Sequence, residues 1–124
     1  MSNRLEDIVR SFLDCVASGD METAIDYYAD DVTVHVAAWH DPLVGREAIR
    51  DVLRHEVELS DYRYTIRNIA STGAVVFIEV VDEFKRDGKN ITMHWSGVWE
   101  ISQAGKITAR RDYWDAKEFE AQLL

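Results

Sequence analysis

The sequence predicts an α+β domain in which three N-terminal helices pack on a curved, mostly antiparallel β-sheet closed into a cone. Apolar residues recur at helical spacing before residue 60 and at strand spacing after it. The later segments are joined by the short turns Ser71-Thr72-Gly73, Arg86-Asp87-Gly88 and Gln103-Ala104-Gly105, which force neighbouring strands antiparallel. Helices that precede such a sheet close one of its faces. At 124 residues the chain holds one core and is a single domain, 1–124.

Leu5, Ile8, Val9, Phe12, Leu13 and Val16 recur at spacings of three and four, the stripe of an amphipathic helix. Asn3 with Glu6 forms a capping box at its start, and Gly19 ends it. Asp20 caps a second, short helix that runs through Tyr28 and stops at Asp30-Asp31. Val32, Val34, Val36 and Ala38 alternate with Thr33, His35 and Ala37 as a strand. Pro42 and Gly45 bracket a loop, and Ile49, Val52, Leu53 and Val57 stripe a third helix. Strands follow over 62–69, 74–84 and 90–102, and a last strand after Gly105 leads through aromatics into a short amphipathic helix.

Apolar content of 47% with four Trp, five Tyr and four Phe supports a packed interior and excludes disorder. A net charge of −9 argues against nucleic acid and against an anionic membrane as partners, which need a basic footprint. No apolar run approaches the ~20 residues that span a bilayer. The N-terminus lacks the basic and apolar blocks of a secretory signal. Cys15, the single cysteine, lies within a helical pattern and reads as a small buried hydrophobe in a reducing cytoplasm. No Cys/His spacing suits zinc and no glycine-rich loop suits a phosphate, so neither metal nor cofactor is expected.

Period two assigns the sheet faces. Val76, Ile78, Val80, Asp82 and Phe84 share the more apolar face, where Asp82 is the only polar member. Ile91, Met93, Trp95, Gly97, Trp99 and Ile101 face the same way, as do Val34 and Val36. His35, Thr92, His94 and Ser96 fall on the outer face, where Val75, Phe77, Val81 and Val98 add apolar area suited to a homodimer contact. Ile107 and Asp112 have opposite parity and both face inward only if a β-bulge intervenes. The expected site is a hydrophobic pocket at the open end, lined by Val34, Val36, Trp39, Val80, Met93, Trp95 and Trp114. It takes a small apolar molecule. Two carboxylates sharing a dry pocket drive their pKa values apart and supply an acid and a base together. Arg110 has the parity of Asp112 and is placed to set the protonation of both aspartates.

Several segments resemble the nuclear transport factor two-like (SnoaL-like) superfamily of cone-shaped α+β domains: Ser18-Gly19-Asp20, Tyr28-Ala-Asp-Asp31 before an alternating strand, and Val44-Gly-Arg-Glu-Ala48 opening a helix. Within it, Gly105-Lys-Ile-Thr108, Arg111-Asp-Tyr-Trp-Asp115 and Glu118-Phe119 look most like limonene-epoxide hydrolases, and Glu79-Val-Val-Asp82 falls where that family has a pocket aspartate. The resemblance implies two aspartates joined by an arginine, one protonating an epoxide oxygen and the other activating a water held by a tyrosine and an asparagine. By position the aspartates are Asp112 and Asp82. The family's arginine position is Val80 here, and its water-holding positions are Val34 and Val36. The resemblance therefore leaves Arg110 to stand in for the arginine, and Trp39 or His40 as the residues that could turn into the water site. Polyketide cyclases of the superfamily, which use a pocket aspartate as acid/base and demand less of the site, are also compatible.

Two function classes follow. One is an enzyme doing aspartate general acid–base chemistry, epoxide-hydrolase-like or cyclase/isomerase-like, with Asp112, Asp82 and Arg110 as its catalytic group. The other is a non-catalytic ligand-binding or dimeric scaffolding domain of the same fold.

Overall fold

A computed structural model describes residues 3–57 and 60–124, with the side chains of 55–60 left aside. The elements are α1 (Arg4–Ser18), α2 (Met21–Asp26), β1 (Tyr28–His35), β2 (Leu43–Val44), α3 (Arg46–Val57), β3 (Ser60–Thr72), β4 (Val75–Arg86), β5 (Lys89–Ile101), β6 (Ile107–Trp114) and α4 (Ala116–Leu123). One six-stranded sheet runs in the order β2-β1-β6-β5-β4-β3. Every pair is antiparallel except β1 with β6, which is parallel. This is the nuclear transport factor two-like α+β arrangement of helices on a curved sheet. Among the described residues no helix is long and apolar enough to cross a membrane.

The α1 stripe buries Val9, Phe12, Leu13 and Val16, and Gly19 at φ 80 closes the helix through its N–H to the carbonyls of Cys15 and Val16. Glycine meets no Cβ penalty in that left-handed conformation. At the other end Asn3 Oδ1 accepts from the N–H groups of Leu5 and Glu6. The Glu6 carboxylate binds Ser71 Oγ of β3 at 2.9 Å, so the helix has an N-cap tied to the sheet in place of a capping box. Ile49 and Leu53 bury the face of α3. Val57, assigned to the same stripe, lies outside the described side chains.

The second helix is shorter than its sequence suggests. It ends at Asp26, and Tyr28 already belongs to β1, paired with Ile107. Tyr28 is buried while Asp30 stays in solvent beside Arg46 at 3.2 Å. β1 also stops earlier, at His35, and the chain turns away so that Val36 is 36% exposed. The loop after Pro42 contains a short strand, β2, whose Leu43 and Val44 pair with Val34 and Thr33.

The hairpin between β4 and β5 turns on Asp87 (φ 53) and Gly88 (φ 76), the two positive φ values of a type I′ turn. Its register sets Val80 against Trp95 and Asp82 against Met93. The β5–β6 pairing slips between Glu100 and Ile101, because Ile101 faces Ile107 while Glu100 faces Ala109. Thr108 is the extra residue, and its Oγ1 donates to the Glu100 carbonyl at 3.2 Å. That bulge reverses parity along β6, so Ile107, Arg110 and Asp112 all face inward. Past the end of β6, α4 takes over the free edge of β5. Gln122 receives the Thr92 N–H and returns a bond to its carbonyl, and Glu118 receives the His94 N–H. His94 itself lies outward against Glu118, and the outer face exposes Phe77 (45%) and Tyr113 (49%).

Candidate active site

At one end of the cone the helices leave the sheet uncovered, and a cavity of about 200 Å³ opens there. β4 contributes Asp82, Phe84 and Arg86 from alternate positions. β5 contributes Met93 and Trp95, and β6 contributes Arg110, Asp112 and Trp114. Leu13 of α1, Val36 after β1, Tyr62 of β3 and Phe119 of α4 complete the wall. The result is an apolar funnel with a polar floor.

That floor is an ion pair. Arg110 (4% exposed) and Asp112 (8%) are the buried charged residues among those described. Arg110 Nε donates to Asp112 Oδ1 at 3.0 Å, and its NH1 donates to the Tyr28 hydroxyl at 3.2 Å. The guanidinium is packed over the rings of Trp99 (4.3 Å), Trp95 (5.5 Å) and Phe12 (5.6 Å). A buried charge pair is tolerated only with this density of compensating contacts. Gly97, opposite Asp112 in the register, makes the room. A Cβ there would lie 2.9 Å from both Trp95 Cζ3 and Trp99 Nε1 and 3.5 Å from Asp112 Oδ1.

Asp82 sits on the adjoining wall, where the Tyr62 hydroxyl donates to its Oδ1 at 3.1 Å. Burial pushes its pKa up to about 6, and the negative charge of Asp112 adds to the rise. Trp95, Tyr62 and Arg110 oppose it. The Trp95 indole lies close enough to steady the Asp82 anion, although its buried Nε1 makes no hydrogen bond of good geometry among the described residues. Burial also raises Asp112, against the charge and hydrogen bond of Arg110. Two carboxylates and one guanidinium thus share this space, and they titrate as a group. Arg110 opposes the rise on both, and on Asp112 it does so through a direct Nε hydrogen bond.

Asp82, Asp112, Arg110, Val36, Met93, Trp95 and Trp114 are brought together around the cavity. Val34 and Val80 are not. Val34 lines a separate, much smaller cavity between α3 and the ion pair, with Ile49, Leu53, Arg110 and Asp112, and Val80 is fully buried in the core. Both face inward as parity requires, but neither lines the open cavity. Trp39 is 57% exposed and stands at the rim against Trp114 at 5.3 Å, beside His40. Sequence reasoning overlooked Tyr62, Arg86, Phe119 and Tyr28. Tyr62 alternates with Asp61 and Arg63, so its inward parity was available. Arg86 continues the Asp82 and Phe84 face, masked by the turn signal of Asp87-Gly88.

The family profile described as "SnoaL-like domain" matches residues 9–110. Among solved structures, the chain is similar to SalBIII, an epoxide hydrolase/cyclase-like enzyme described for its role in pyran ring formation in the polyether salinomycin. That match has a TM-score of 0.84 at 18% identity and covers 92% of each chain. It is also similar to an LEH-like epoxide hydrolase of M. tuberculosis, with a TM-score of 0.81 at 23% identity, over 97% of this chain and 92% of the other. At these identities the likeness is one of fold.

Proposed function

Because the chain belongs to the SnoaL-like domain family, we propose that it is an enzyme using its own carboxylates for general acid–base chemistry on a small, mostly apolar molecule. The observation that carries this reading is Asp82, a carboxyl raised to about 6 within the same cavity as an Arg110-bound Asp112. A neutral acid beside a fixed anion is the arrangement that opens a strained ring without a strong base in solution. Asp82 gives its proton to the epoxide oxygen as the C–O bond breaks. Asp112 takes the proton of the hydroxyl that attacks the carbon. Solvent then returns a proton to Asp82 and removes one from Asp112, which restores the site.

The attacking hydroxyl decides between hydrolysis and ring closure or isomerisation. The polar side chains lining the cavity are Tyr62, Asp82, Arg86, Trp95, Arg110, Asp112 and Trp114, and of the two positions that hold a water in limonene-epoxide hydrolases Val36 lines it while Val34 lies behind Arg110 and Asp112. Valine cannot orient a water. This favours a hydroxyl carried by the substrate itself, hence a cyclase or isomerase, with simple epoxide hydrolysis the slower outcome. The SalBIII description is in keeping with that preference.

The test is a panel of small cyclic epoxides, hydroxy-epoxides and polyketide-like esters with wild type, Asp82→Asn and Asp112→Asn. General acid–base catalysis is worth roughly 10²–10⁴-fold, so each variant should lose about that much on an accepted substrate. No turnover by wild type, or full rate in either variant, transfers the cavity to the alternative reading of a ligand-binding domain.

A further inference from the structure

We infer that the cavity selects an amphipathic acid, a molecule with an apolar, uncharged reactive end and a carboxylate that rests on Arg86 at the mouth. The inference rests on the cavity being the substrate site and adds the chemical class of the substrate. Arg86 ends the inward face of β4, two residues beyond Phe84 and four beyond Asp82, and it lines the same cavity. Its guanidinium lies 5.5 Å from the ring centre of Phe119 of α4, which holds the long side chain at the rim. Among the described residues it has no ion pair, whereas its hairpin neighbours are engaged. Lys85 pairs with Asp61 at 3.6 Å, and Lys89 donates to the carbonyl oxygens of Leu123 and Leu124 at 2.6 and 2.9 Å.

The two ends of the cavity therefore want opposite things. The floor carries Asp82 and Asp112 with a single guanidinium already bound to Asp112 and Tyr28, so an anionic group finds no available cation there and is repelled once Asp82 ionises. Phe84, Met93, Trp114 and Phe119 make the apolar passage between the floor and the mouth. At the mouth stands a cation whose geometry suits a carboxylate, with two parallel N–H groups for two oxygens. With a net charge of −9 the protein as a whole disfavours anions, so any preference for an acid has to arise locally. A ligand in this orientation presents its uncharged end to Asp82.

The experiment measures binding of 4-cyclohexylbutyrate and of its primary amide at pH 7.5 by quenching of tryptophan fluorescence, since Trp95 and Trp114 line the cavity. A partly solvated guanidinium–carboxylate contact is worth on the order of tenfold in affinity. Wild type should bind the acid about tenfold tighter than the amide, with the difference shrinking in high salt. Arg86→Gln should equalise the two by weakening only the acid, Arg86→Lys should restore part of the preference, and Lys85→Gln should change neither. Equal affinities in wild type, a preference that survives Arg86→Gln, or no binding of either compound overturns the inference. Turnover of neutral epoxides by wild type and Arg86→Gln reports separately on the acid–base chemistry, which stands if only the acid preference fails.

Discussion

Replacing Asp82 by asparagine should make this protein more stable at pH 8 and, by only about a third of that gain, at pH 4.5. The fold raises the Asp82 pKa from 3.8 to about 6, chiefly by burial. Between those values the native state binds the proton more tightly than the unfolded chain does. Stability from this group is therefore intact below pH ~4, falls as pH rises, and is lost above pH ~6. A shift of about 2 units corresponds to roughly 3 kcal/mol at most, and partial exposure of Asp82 together with the loss of its attraction to Arg110 reduces the net gain to about 1–2 kcal/mol. Asparagine keeps an acceptor for the Tyr62 hydroxyl, so the cavity wall stays satisfied. For a domain of this size the gain amounts to roughly 4–8 °C in Tm. Differential scanning calorimetry of wild type and Asp82→Asn at both pH values provides the comparison. An equal Tm difference at pH 8 and pH 4.5, or a loss of stability at pH 8, refutes the claim that burial holds this carboxyl up.

Arg110→Met should cost about 3–5 kcal/mol at pH 8 because it strands Asp112 as a buried anion. The loss should shrink as pH falls and Asp112 takes up a proton, because burial raises its pKa, and the double variant Arg110→Met/Asp112→Asn should recover part of it in urea titrations. We also propose a homodimer through the outer sheet face around the exposed Phe77 and Tyr113. Light scattering at micromolar concentration should give twice the chain mass, and Phe77→Glu should halve it. A wild-type monomer excludes the dimer.

The layout of the fold was legible because most of its strands alternate cleanly and its turns carry glycine where φ is positive, as at Asp87-Gly88. The β6 parity conflict between Ile107 and Asp112 was visible as well, and the bulge at Thr108 resolves it. What stayed hidden depends on non-local pairing. Tyr28-Ala-Asp-Asp31 has no strand alternation, and it extends β1 only because Tyr28 pairs with Ile107 and its hydroxyl receives Arg110. The same limit governs the site. Parity separates the inner face from the outer one, and so groups Val34 and Val80 with Asp82 and Met93. It does not tell which part of that face lines the open cavity. Where α1, α3 and α4 stop is decided by packing, and that is why Arg86 and Phe119 joined the cavity unannounced while Val34 and Val80 left it.

The central claim is that one carboxyl in this cavity remains protonated close to neutrality while its neighbour is held by Arg110. Its most direct test is a ¹³C carboxyl NMR titration of aspartate-labelled protein, with the Asp82 and Asp112 signals assigned from their asparagine variants. The account predicts an Asp82 titration with a midpoint at about 6, which moves when Asp112 is replaced because the two share a field. A midpoint at or below the ordinary value of about 4, unmoved by Asp112→Asn, would contradict it and leave the cavity without its acid.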